Sequence, residues 1–480
     1  MILLLITVAV IKAENGIEMN GKYSEAVYKG KRILESLPVD YAEIRLASST
    51  GTGISLSGEN VESFTIGESV AGSVRALNNG SWGFATFNDL SMLEKYIKSA
   101  VLSASLVSPS EKTVLTRSPA VEGNYKISAV RNFMDVTPDE KFTLARDYNE
   151  ILRSSAVVQT TRTGYRDVNT KYTYMNSEGS FLSYDKLYCG ISLAAIAKKG
   201  NVVQPFHESV SGYGGFELVT GKETLAERVV KTAVDMLEAE PVPGGTYDVI
   251  VDPKLCGVFI HEAFGHMSEA DFIHENPRMK EIMVTGREFG PRSLNVYDDG
   301  TIPVLAGYIP FDDEGLSPRK TALIKDGVLS GRLHSRETAG RMGEEPTGNG
   351  RAISVMKQPI VRMTNTYIDN GDFSGEDIFD SMDDGLYAVD VIGGQTNLEM
   401  FTFTAGYGYR IKNGRKGKMF RDVVLSGNVF STLKNISMIG NDREMFGGLG
   451  GCGKGGQSPL PVSFGGPHML IKNVLIGGKM

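Results

Sequence analysis

Cysteine, histidine and tryptophan are scarce in this sequence. The 480 residues include three cysteines, six histidines and one tryptophan, and the formal net charge is −7 at pH 7. Three widely separated cysteines cannot form a disulfide framework, so the sequence favours a reducing compartment. The lack of a basic excess argues against a dedicated nucleic-acid-binding surface, which needs clustered lysine and arginine side chains.

The sequence begins with an apolar run that is too short to span a bilayer. Met1–Ile11 is interrupted only by Thr7, whereas a membrane-spanning helix needs roughly 20 apolar residues. The run lacks a preceding basic segment and a small-x-small cleavage site before Glu14, which are features of secretory signals. Residues 1–18 therefore form an apolar N-terminal extension with two interpretations, a signal or anchor, or a misassigned start with Met19 as the first residue. No membrane association is expected.

The length and the pattern of apolar residues predict an α+β protein. A chain of 480 residues is too long to fold around one small hydrophobic core, so its length predicts two or three domains. Helical and strand-like patterns alternate up to about residue 240, and short strands separated by glycine, asparagine or aspartate dominate after residue 290. We expect a mixed α/β N-terminal half with antiparallel sheets and helices, and a β-rich, barrel-like C-terminal domain. The predicted divisions are 19–110, 111–240 and 241–480.

Local signals predict several helices and turns in more detail. Apolar spacing and capping residues predict helices at about 23–37, 89–107, from 137 onward and 221–240. Glycine-containing segments predict turns between short strands at 51–53, 58–60 and 78–80. Asp252 and Pro253 predict the cap and first residue of a further helix that follows a strand at 247–251.

The most informative stretch is Val258–Met267, which contains His261, Glu262 and His266. On a regular α-helix, side chains five residues apart diverge by about 140° around the axis, too far to bind one ion. A π-type turn would return both histidines to one face, and Gly265 offers the least steric resistance to such a bend. The spacing therefore predicts a deformed helix that carries a metal site.

A catalytic metal site needs more than two histidines. Glu262 lies about 100° around the axis from the first histidine, which suits a general base better than a ligand. A catalytic zinc ion usually has three protein ligands and one water. Cys452 is difficult to explain as core packing, because it lies in a glycine-rich segment. The candidates for the third ligand are Glu269, Asp271, His274 and Cys452.

Two other glycine-containing segments have alternative interpretations. Gly448–Lys454 partly matches nucleotide-binding loops, but such loops need a helix directly after the glycines, and Gly-Gly-Gln-Ser-Pro follows here. A nucleotide site is therefore disfavoured. A second segment could hold a substrate backbone through its amides or form an ordinary tight turn. Its residues are Thr347, Gly348, Asn349, Gly350 and Arg351.

Several segments, in this order, give the chain a resemblance to the TldD/PmbA family. They are His261–His266, Asp312–Gly315, Pro346–Arg351, Arg362–Tyr367, Ile439–Asp442 and Cys452–Ser458. The resemblance extends from about residue 23 to the end, and the His-Glu-x-x-x-His segment is similar to the TldD branch. It implies that His261, His266 and Cys452 bind Zn²⁺ and that the glutamate between the histidines is the general base. It also implies a cytoplasmic protein.

Two functions follow as hypotheses from the sequence and the resemblance. The first is a zinc-dependent endopeptidase that cleaves unfolded or short extended peptides with metal-activated water and a glutamate base. The alternative is a non-catalytic binding or modulator protein of the PmbA type that acts through a partner subunit. The resemblance implies a homodimer, or a heterodimer with a PmbA/TldE-type paralogue, in which unstructured peptides are cleaved inside a shared cavity.

Overall fold

The computed structural model describes residues 11–12, 21–109 and 111–477. The predicted extension 1–18 therefore lies outside the described residues, except for the backbone of residues 11–12. Across the described ranges, no helix is both long enough and apolar enough to cross a membrane.

The N-terminal half alternates long strands with helices. Its elements are β1 (Ile11–Lys12), α1 (Gly21–Leu34), β2 (Tyr41–Ser57), β3 (Asn60–Asn78), β4 (Ser81–Phe87), α2 (Leu93–Leu106), β5 (Glu122–Lys126), α3 (Pro138–Leu152), β6 (Val158–Asn176), β7 (Phe181–Lys199), β8 (Val202–Tyr213) and α4 (Glu223–Glu238). The four helices predicted here are present, with ends that differ by a few residues from the prediction.

These eight strands form one sheet. The order is β1-β5-β7-β6-β2-β3-β4, and β8 pairs with β7. Because β2 pairs with β6, the sheet contains strands from both predicted segments, 19–110 and 111–240. The predicted turn at 51–53 is wrong, since β2 continues through it. A Cβ atom at Gly51 would lie 2.4 Å from the carbonyl oxygen of Asp167 on β6, so this glycine permits close strand packing.

The two faces of this sheet have different neighbours. Cys189, Ile191 and Leu193 of β7 belong to a buried apolar cluster that includes residues of α3 and α4. Side chains alternate along a strand, so the even-numbered residues of β7 point to the opposite face. Lys186 and Tyr188 accordingly line a cleft shared with the C-terminal half.

The C-terminal half contains many short strands and six short helices in its described part. Its elements are β9 (Glu240–Pro241), β10 (Gly245–Val251), α5 (Pro253–Ile260), α6 (Ala270–Glu275), α7 (Pro277–Ile282), β11 (Val296–Asp299), β12 (Lys320–Lys325), β13 (Val328–Leu329), α8 (Arg336–Met342), β14 (Gly350–Arg351), β15 (Ile360–Val361), β16 (Asn365–Ile368), α9 (Gly375–Asp380), β17 (Asp384–Val389), β18 (Gly393–Asn397), β19 (Met400–Thr404), β20 (Tyr407–Lys412), β21 (Arg415–Arg421), β22 (Val424–Asn428), α10 (Val429–Lys434), β23 (Ile436–Ile439), β24 (Glu444–Phe446), β25 (Cys452–Lys454), β26 (Gln457–Leu460), β27 (Ser463–Gly466) and β28 (Met469–Gly477). The helices α8, α9 and α10 lie in the region where short strands were expected to dominate.

Two larger sheets surround α5. One has the order β18-β19-β22-β28-β10-β17-β20-β21-β9, with β23 paired to β28, and the other has the order β13-β12-β11-β16-β27-β24. Helix α5 packs closely on β27, because a Cβ atom at Gly257 would lie 2.5 Å from the backbone nitrogen of Gly465. The structure confirms the predicted α+β class, with antiparallel sheets and a β-rich C-terminal half.

Candidate metal centre

Helix α5 begins where the sequence predicts. The Asp252 carboxylate accepts a hydrogen bond of 2.8 Å from the backbone nitrogen of Leu255, and Pro253 occupies the first helical position. The cap is thus formed by side chain and backbone together. The preceding strand β10 lies in the middle of its sheet, so the start of α5 is fixed by a buried element.

The predicted π turn is present at His261–Gly265. It brings the rings of His261 and His266 to 5.3 Å between centroids. The predicted reason for Gly265 is wrong, however, since its backbone has ordinary helical angles, with φ −57° and ψ −51°. A Cβ atom at this position would lie 2.2 Å from the sulfur of Met363. A larger residue at position 265 would therefore force the Met363 side chain to move.

Cys452 completes a three-residue cluster with the two histidines. It begins β25 and its Sγ lies 3.2 Å from Nε2 of His266. One potential ligand atom from each of His261, His266 and Cys452 lies within 4.8 Å of the others, and the described residues contain no other such group of three. The loop before the cysteine and the π turn therefore converge on one point.

The electrostatics of the cluster suit a metal ion. Burial would raise the pKa of the Cys452 thiol, but hydrogen bonds with His261 and His266 lower that pKa to about 5. A thiolate is therefore the dominant form at neutral pH, and thiolate is the form that binds metal. Nδ1 of His261 is buried without a hydrogen-bond partner. Two imidazoles and one thiolate match the nitrogen and sulfur donors that zinc prefers.

A buried carboxylate orients the second histidine. Oε2 of Glu269 lies 3.0 Å from Nδ1 of His266, which leaves Nε2 directed at Cys452. Burial would raise the pKa of Glu269, but His266 and Lys454 lower it to about 2. Such a carboxylate partner fixes the tautomer and the orientation of a ligating imidazole.

The remaining candidates for a third ligand lie outside the cluster. Glu269 is the partner of the other ring nitrogen of His266, and Asp271 is paired with the Lys454 ammonium at 2.6 Å. Lys454 also contacts Glu269 at 3.0 Å and so connects the cysteine hairpin to the helical segment. His274 does not belong to the cluster. The geometry thus favours Cys452 among the four candidates.

Glu262 lies beside the cluster and borders open space. Its Oε2 is 3.9 Å from Nε2 of His266, and its side chain is 34% exposed. Glu262, His261 and Cys452 line a cleft of about 620 Å³. The walls of this cleft come from both halves of the protein, including Ser192 and Ser209 on one side and residues 391–394 and 446–452 on the other. A carboxylate in this position can reach a molecule bound in the cleft.

Arg362, whose individual role the sequence does not reveal, positions the cysteine hairpin. Its fully buried guanidinium donates hydrogen bonds to the carbonyl oxygens of Cys452 at 2.7 Å and Gln457 at 3.1 Å. These two acceptors lie on β25 and β26, so one side chain holds both strands. Arg362 precedes the cysteine by 90 residues, and no local pattern predicts such a contact.

The segment Thr347–Arg351 lies inside the C-terminal half. The Asn349 amide donates to Asp298 at 2.9 Å, the Gly350 backbone nitrogen donates to Asp312 at 2.9 Å, and the Arg351 guanidinium donates to the carbonyl oxygen of Pro461 at 2.9 Å. These contacts are internal to the protein. Direct contact of Thr347, Gly348, Asn349, Gly350 or Arg351 with substrate remains a prediction.

A cleft that contains two histidines, a cysteine and a neighbouring carboxylate is typical of metal-dependent hydrolases. Models of the PmbA/TldA metallopeptidase domains match the chain at 42–104 for domain 1, 131–237 for the central domain and 244–478 for the C-terminal domain. The chain therefore belongs to the PmbA/TldD family of metallopeptidases, and the resemblance inferred from its motifs is confirmed.

Individual relatives cover nearly the whole chain. A metalloprotease of Synechocystis is 40% identical over 92% of this chain and 95% of its own length. A protein of Saccharolobus solfataricus named a zinc metalloprotease TldD homologue is 28% identical over 94% of this chain and all of its own length.

Solved structures show the same fold. TldE from Thermococcus kodakarensis has a TM-score of 0.76 at 21% identity, and the match covers 94% of this chain and 100% of that one. A Thermotoga maritima protein named as a DNA gyrase modulator also has a TM-score of 0.76, at 20% identity, with 95% and 100% of the two chains covered.

Proposed function

We propose that this protein is a zinc-dependent endopeptidase that cleaves unfolded or short extended peptides. The observation that carries the proposal is the convergence of His261, His266 and Cys452 beside Glu262 in an open cleft. A purely structural metal site closes all four positions of zinc with protein ligands, whereas a catalytic site usually has three protein ligands and one open position. The name of the Saccharolobus solfataricus relative also supports zinc as the metal.

Each side chain of the cluster would have a separate role in peptide hydrolysis. A zinc ion bound by the two histidines and the cysteine would supply Lewis acidity that polarises a peptide carbonyl and activates water. The Glu262 carboxylate would accept a proton from a water molecule in the cleft and deliver it to the leaving amine nitrogen. Glu269 would keep the His266 ring in the binding orientation throughout.

The walls of the cleft support an extended substrate. Gly393 and Gly394 line the cleft and begin β18, which lies at the edge of the ten-stranded sheet. An edge strand has free backbone hydrogen-bonding groups and can pair with an extended peptide. Recognition of this kind excludes stably folded proteins, because straightening a folded segment costs about 5–15 kcal/mol of unfolding free energy.

We also propose that the protein acts in the cytoplasm and as a dimer. The three cysteines, all buried and unpaired, favour the reducing cytoplasm. The likeness to a TldE structure supports pairing with a PmbA/TldE-type paralogue, and a homodimer is the other assembly to test. The competing function is a binding protein of the PmbA type that acts through a partner, in line with the name of the Thermotoga maritima neighbour.

Metal analysis combined with peptide cleavage tests the proposal. The full-length protein should hold one zinc ion per chain, and Cys452→Ser should weaken zinc retention because a neutral hydroxyl is a poor ligand. Cys189→Ser is the matched control, since that buried thiol contacts only protein groups such as the carbonyl oxygen of Gly215. Stoichiometric zinc and full activity in Cys452→Ser would overturn the ligand assignment.

The substrate class requires a second comparison. The zinc-loaded protein, alone and with a PmbA-type paralogue from the same source, is given an unstructured peptide and a stably folded domain that contains the same sequence. Cleavage of the peptide alone is expected. Equal cleavage of both would contradict recognition of extended backbone, and cleavage of neither in any combination would favour the binding-protein alternative.

A further inference from the structure

A second cleft lies next to the metal cleft and has a different chemical character. Its volume is about 410 Å³. The floor comes from the N-terminal sheet and includes Arg166 and Lys186, and the opposite wall comes from residues 352–356 and 459–461 of the C-terminal half. It is therefore a second space between the same two halves.

The two clefts are parts of one groove along β7. Lys186, Tyr188, Gly190 and Ser192 lie on one face of this strand because side chains alternate. Lys186 and Tyr188 line the second cleft, and Ser192 lines the metal cleft. Leu449 lines both and lies over Gly190, where a Cβ atom would be 2.6 Å from its Cδ2. Leu449 therefore lies between the two clefts, which follow one another along β7.

The second cleft contains two cationic side chains, Arg166 and Lys186, that are not in direct ion pairs. Within the described chain, no carboxylate lies within 4.0 Å of the Arg166 or Lys186 side-chain nitrogens. The one carboxylate in the lining, Asp313, already accepts hydrogen bonds from the Tyr172 hydroxyl at 2.6 Å and the Ala352 backbone nitrogen at 2.7 Å. Neither cation is therefore held in a direct ion pair, and Lys186 has a hydrogen bond with the Tyr213 hydroxyl.

The surroundings keep Lys186 charged and provide further contacts. Burial alone would lower the pKa of the Lys186 ammonium, but the Tyr184 and Tyr213 hydroxyls and Asp313 raise that pKa. Lys186 also lies 5.4 Å from the centre of the Tyr213 ring. A carboxylate on a flexible chain fits such a pocket, because charge-assisted hydrogen bonds are strong where water is partly excluded.

We propose that this second cleft binds a carboxylate of the peptide substrate through Lys186 and Arg166. The inference rests on the proposed peptidase function and names a specificity determinant for it. Lys186 and Ser192 are six positions apart on β7, a distance of about 20 Å at the rise of a strand. Arg166 on β6 lies opposite Gly190, so the carboxylate would bind beyond Leu449, away from the metal cleft. This carboxylate is either the C-terminal carboxylate of the peptide or an aspartate or glutamate side chain.

The test measures binding and cleavage separately. Labelled unstructured peptides of one sequence are made with a free carboxylate or an amide at the C-terminus, and with glutamate or glutamine at one internal position. Their dissociation constants are measured on the full-length, zinc-loaded Glu262→Gln variant, and cleavage is measured on the wild-type protein. The binding measurement stands even if the wild-type protein cleaves nothing, so failure of the peptidase function and failure of the carboxylate site are distinguishable.

The expected result is a preference for carboxylate over its neutral counterpart of about tenfold, the effect of one charge-assisted hydrogen bond. Preference at the C-terminus identifies the α-carboxylate, and preference at the internal position identifies a side chain. Adding Lys186→Met or Arg166→Gln should reduce the ratio towards one. Lys198→Met, an exposed lysine on the same strand, should preserve it. Equal affinity for charged and neutral peptides, or an unchanged ratio in both variants, would overturn the proposal.

Discussion

The guanidinium of Arg362 donates a hydrogen bond of 2.7 Å to the carbonyl oxygen of Cys452. The cysteine follows several glycines, so contacts with other segments are needed to fix its position. A buried arginine that holds the backbone of this residue fixes the thiolate relative to the two histidines. The precision of the candidate zinc site therefore depends on a residue that contributes no ligand.

Replacing this arginine should loosen the site. In Arg362→Met, two buried carbonyl groups lose their donor, so we expect the free energy of unfolding to fall by about 2–4 kcal/mol. Zinc affinity should fall by about 10–100-fold, as for other residues that orient ligands. Thermal unfolding and competition with a chelator measure the two effects. Arg415→Met, at an exposed site, is the control, and unchanged zinc affinity in Arg362→Met would contradict the positioning role.

The two glutamates near His266 should behave differently when neutralised. Glu262→Gln should retain zinc while activity falls by about 10²–10⁴-fold, because the general base is lost. Glu269→Gln should weaken zinc binding by about 10–100-fold, because the partner of the His266 ring loses its charge. Zinc content and peptide cleavage, measured on both variants, separate the roles. Loss of zinc from Glu262→Gln would make Glu262 a ligand or a support.

Gly265 should tolerate no added methyl group unless space is made for it. A Cβ atom there would lie 2.2 Å from the sulfur of Met363, so Gly265→Ala should displace the π turn and reduce both stability and zinc content. Met363→Ala removes the obstructing sulfur and costs about 2–5 kcal/mol by itself. The double variant should therefore be less damaged than the two single effects added together, and strict additivity would rule out this contact as the cause.

Asp252 gives the folded protein a predictable pH dependence. Burial raises the pKa of Asp252 to about 7, and the charge of Asp390 contributes to the rise. The unfolded chain has a pKa near 3.8 for this group, so between these values the folded state binds more protons. Stability from this residue is present at low pH and is lost as pH rises towards 7, by at most about 1.4 kcal/mol per pH unit.

Asp252→Asn removes that titration and keeps an N-cap oxygen for Leu255. The unfolding free energy of the variant minus that of the wild type should therefore increase from pH 4 to pH 7. Chemical denaturation at several pH values measures the difference. Parallel curves for the two proteins would show that Asp252 does not carry the effect.

The predictable features of the site were the local ones. The cap at Asp252 and the π turn follow from residues within a few positions of each other, because helix geometry alone decides whether two histidines five apart can meet. Gly265 was assigned to the right place for the wrong reason, since its partner Met363 comes from a distant segment.

The sequence patterns did not predict contacts between residues that are far apart in the chain. Cys452 entered as one of several candidate ligands, singled out by its glycine-rich surroundings, and the resemblance then assigned it as the third ligand. Glu269 was considered a ligand, and its pairing with His266 and Lys454 depends on how the cysteine hairpin meets the helix. The turn expected at 51–53 failed for a related reason. In the sequence of one strand, glycine suggests a bend. In the sheet, Gly51 instead allows the backbone of Asp167 on the neighbouring strand to approach closely, and β2 continues.

The loop before Cys452 is also bound to the N-terminal sheet. Ser211 donates from its hydroxyl to the carbonyl oxygen of Gly448 at 2.7 Å, and the backbone nitrogen of Leu449 donates to the Ser209 hydroxyl at 2.9 Å. A movement of one half relative to the other would therefore displace the loop only a few residues before Cys452. The C-terminal half, if produced as an isolated fragment, would contain all three candidate ligands and yet lack the surface that restrains one of them. The candidate metal centre lies at the junction, and recombining halves between family members would exchange part of its support.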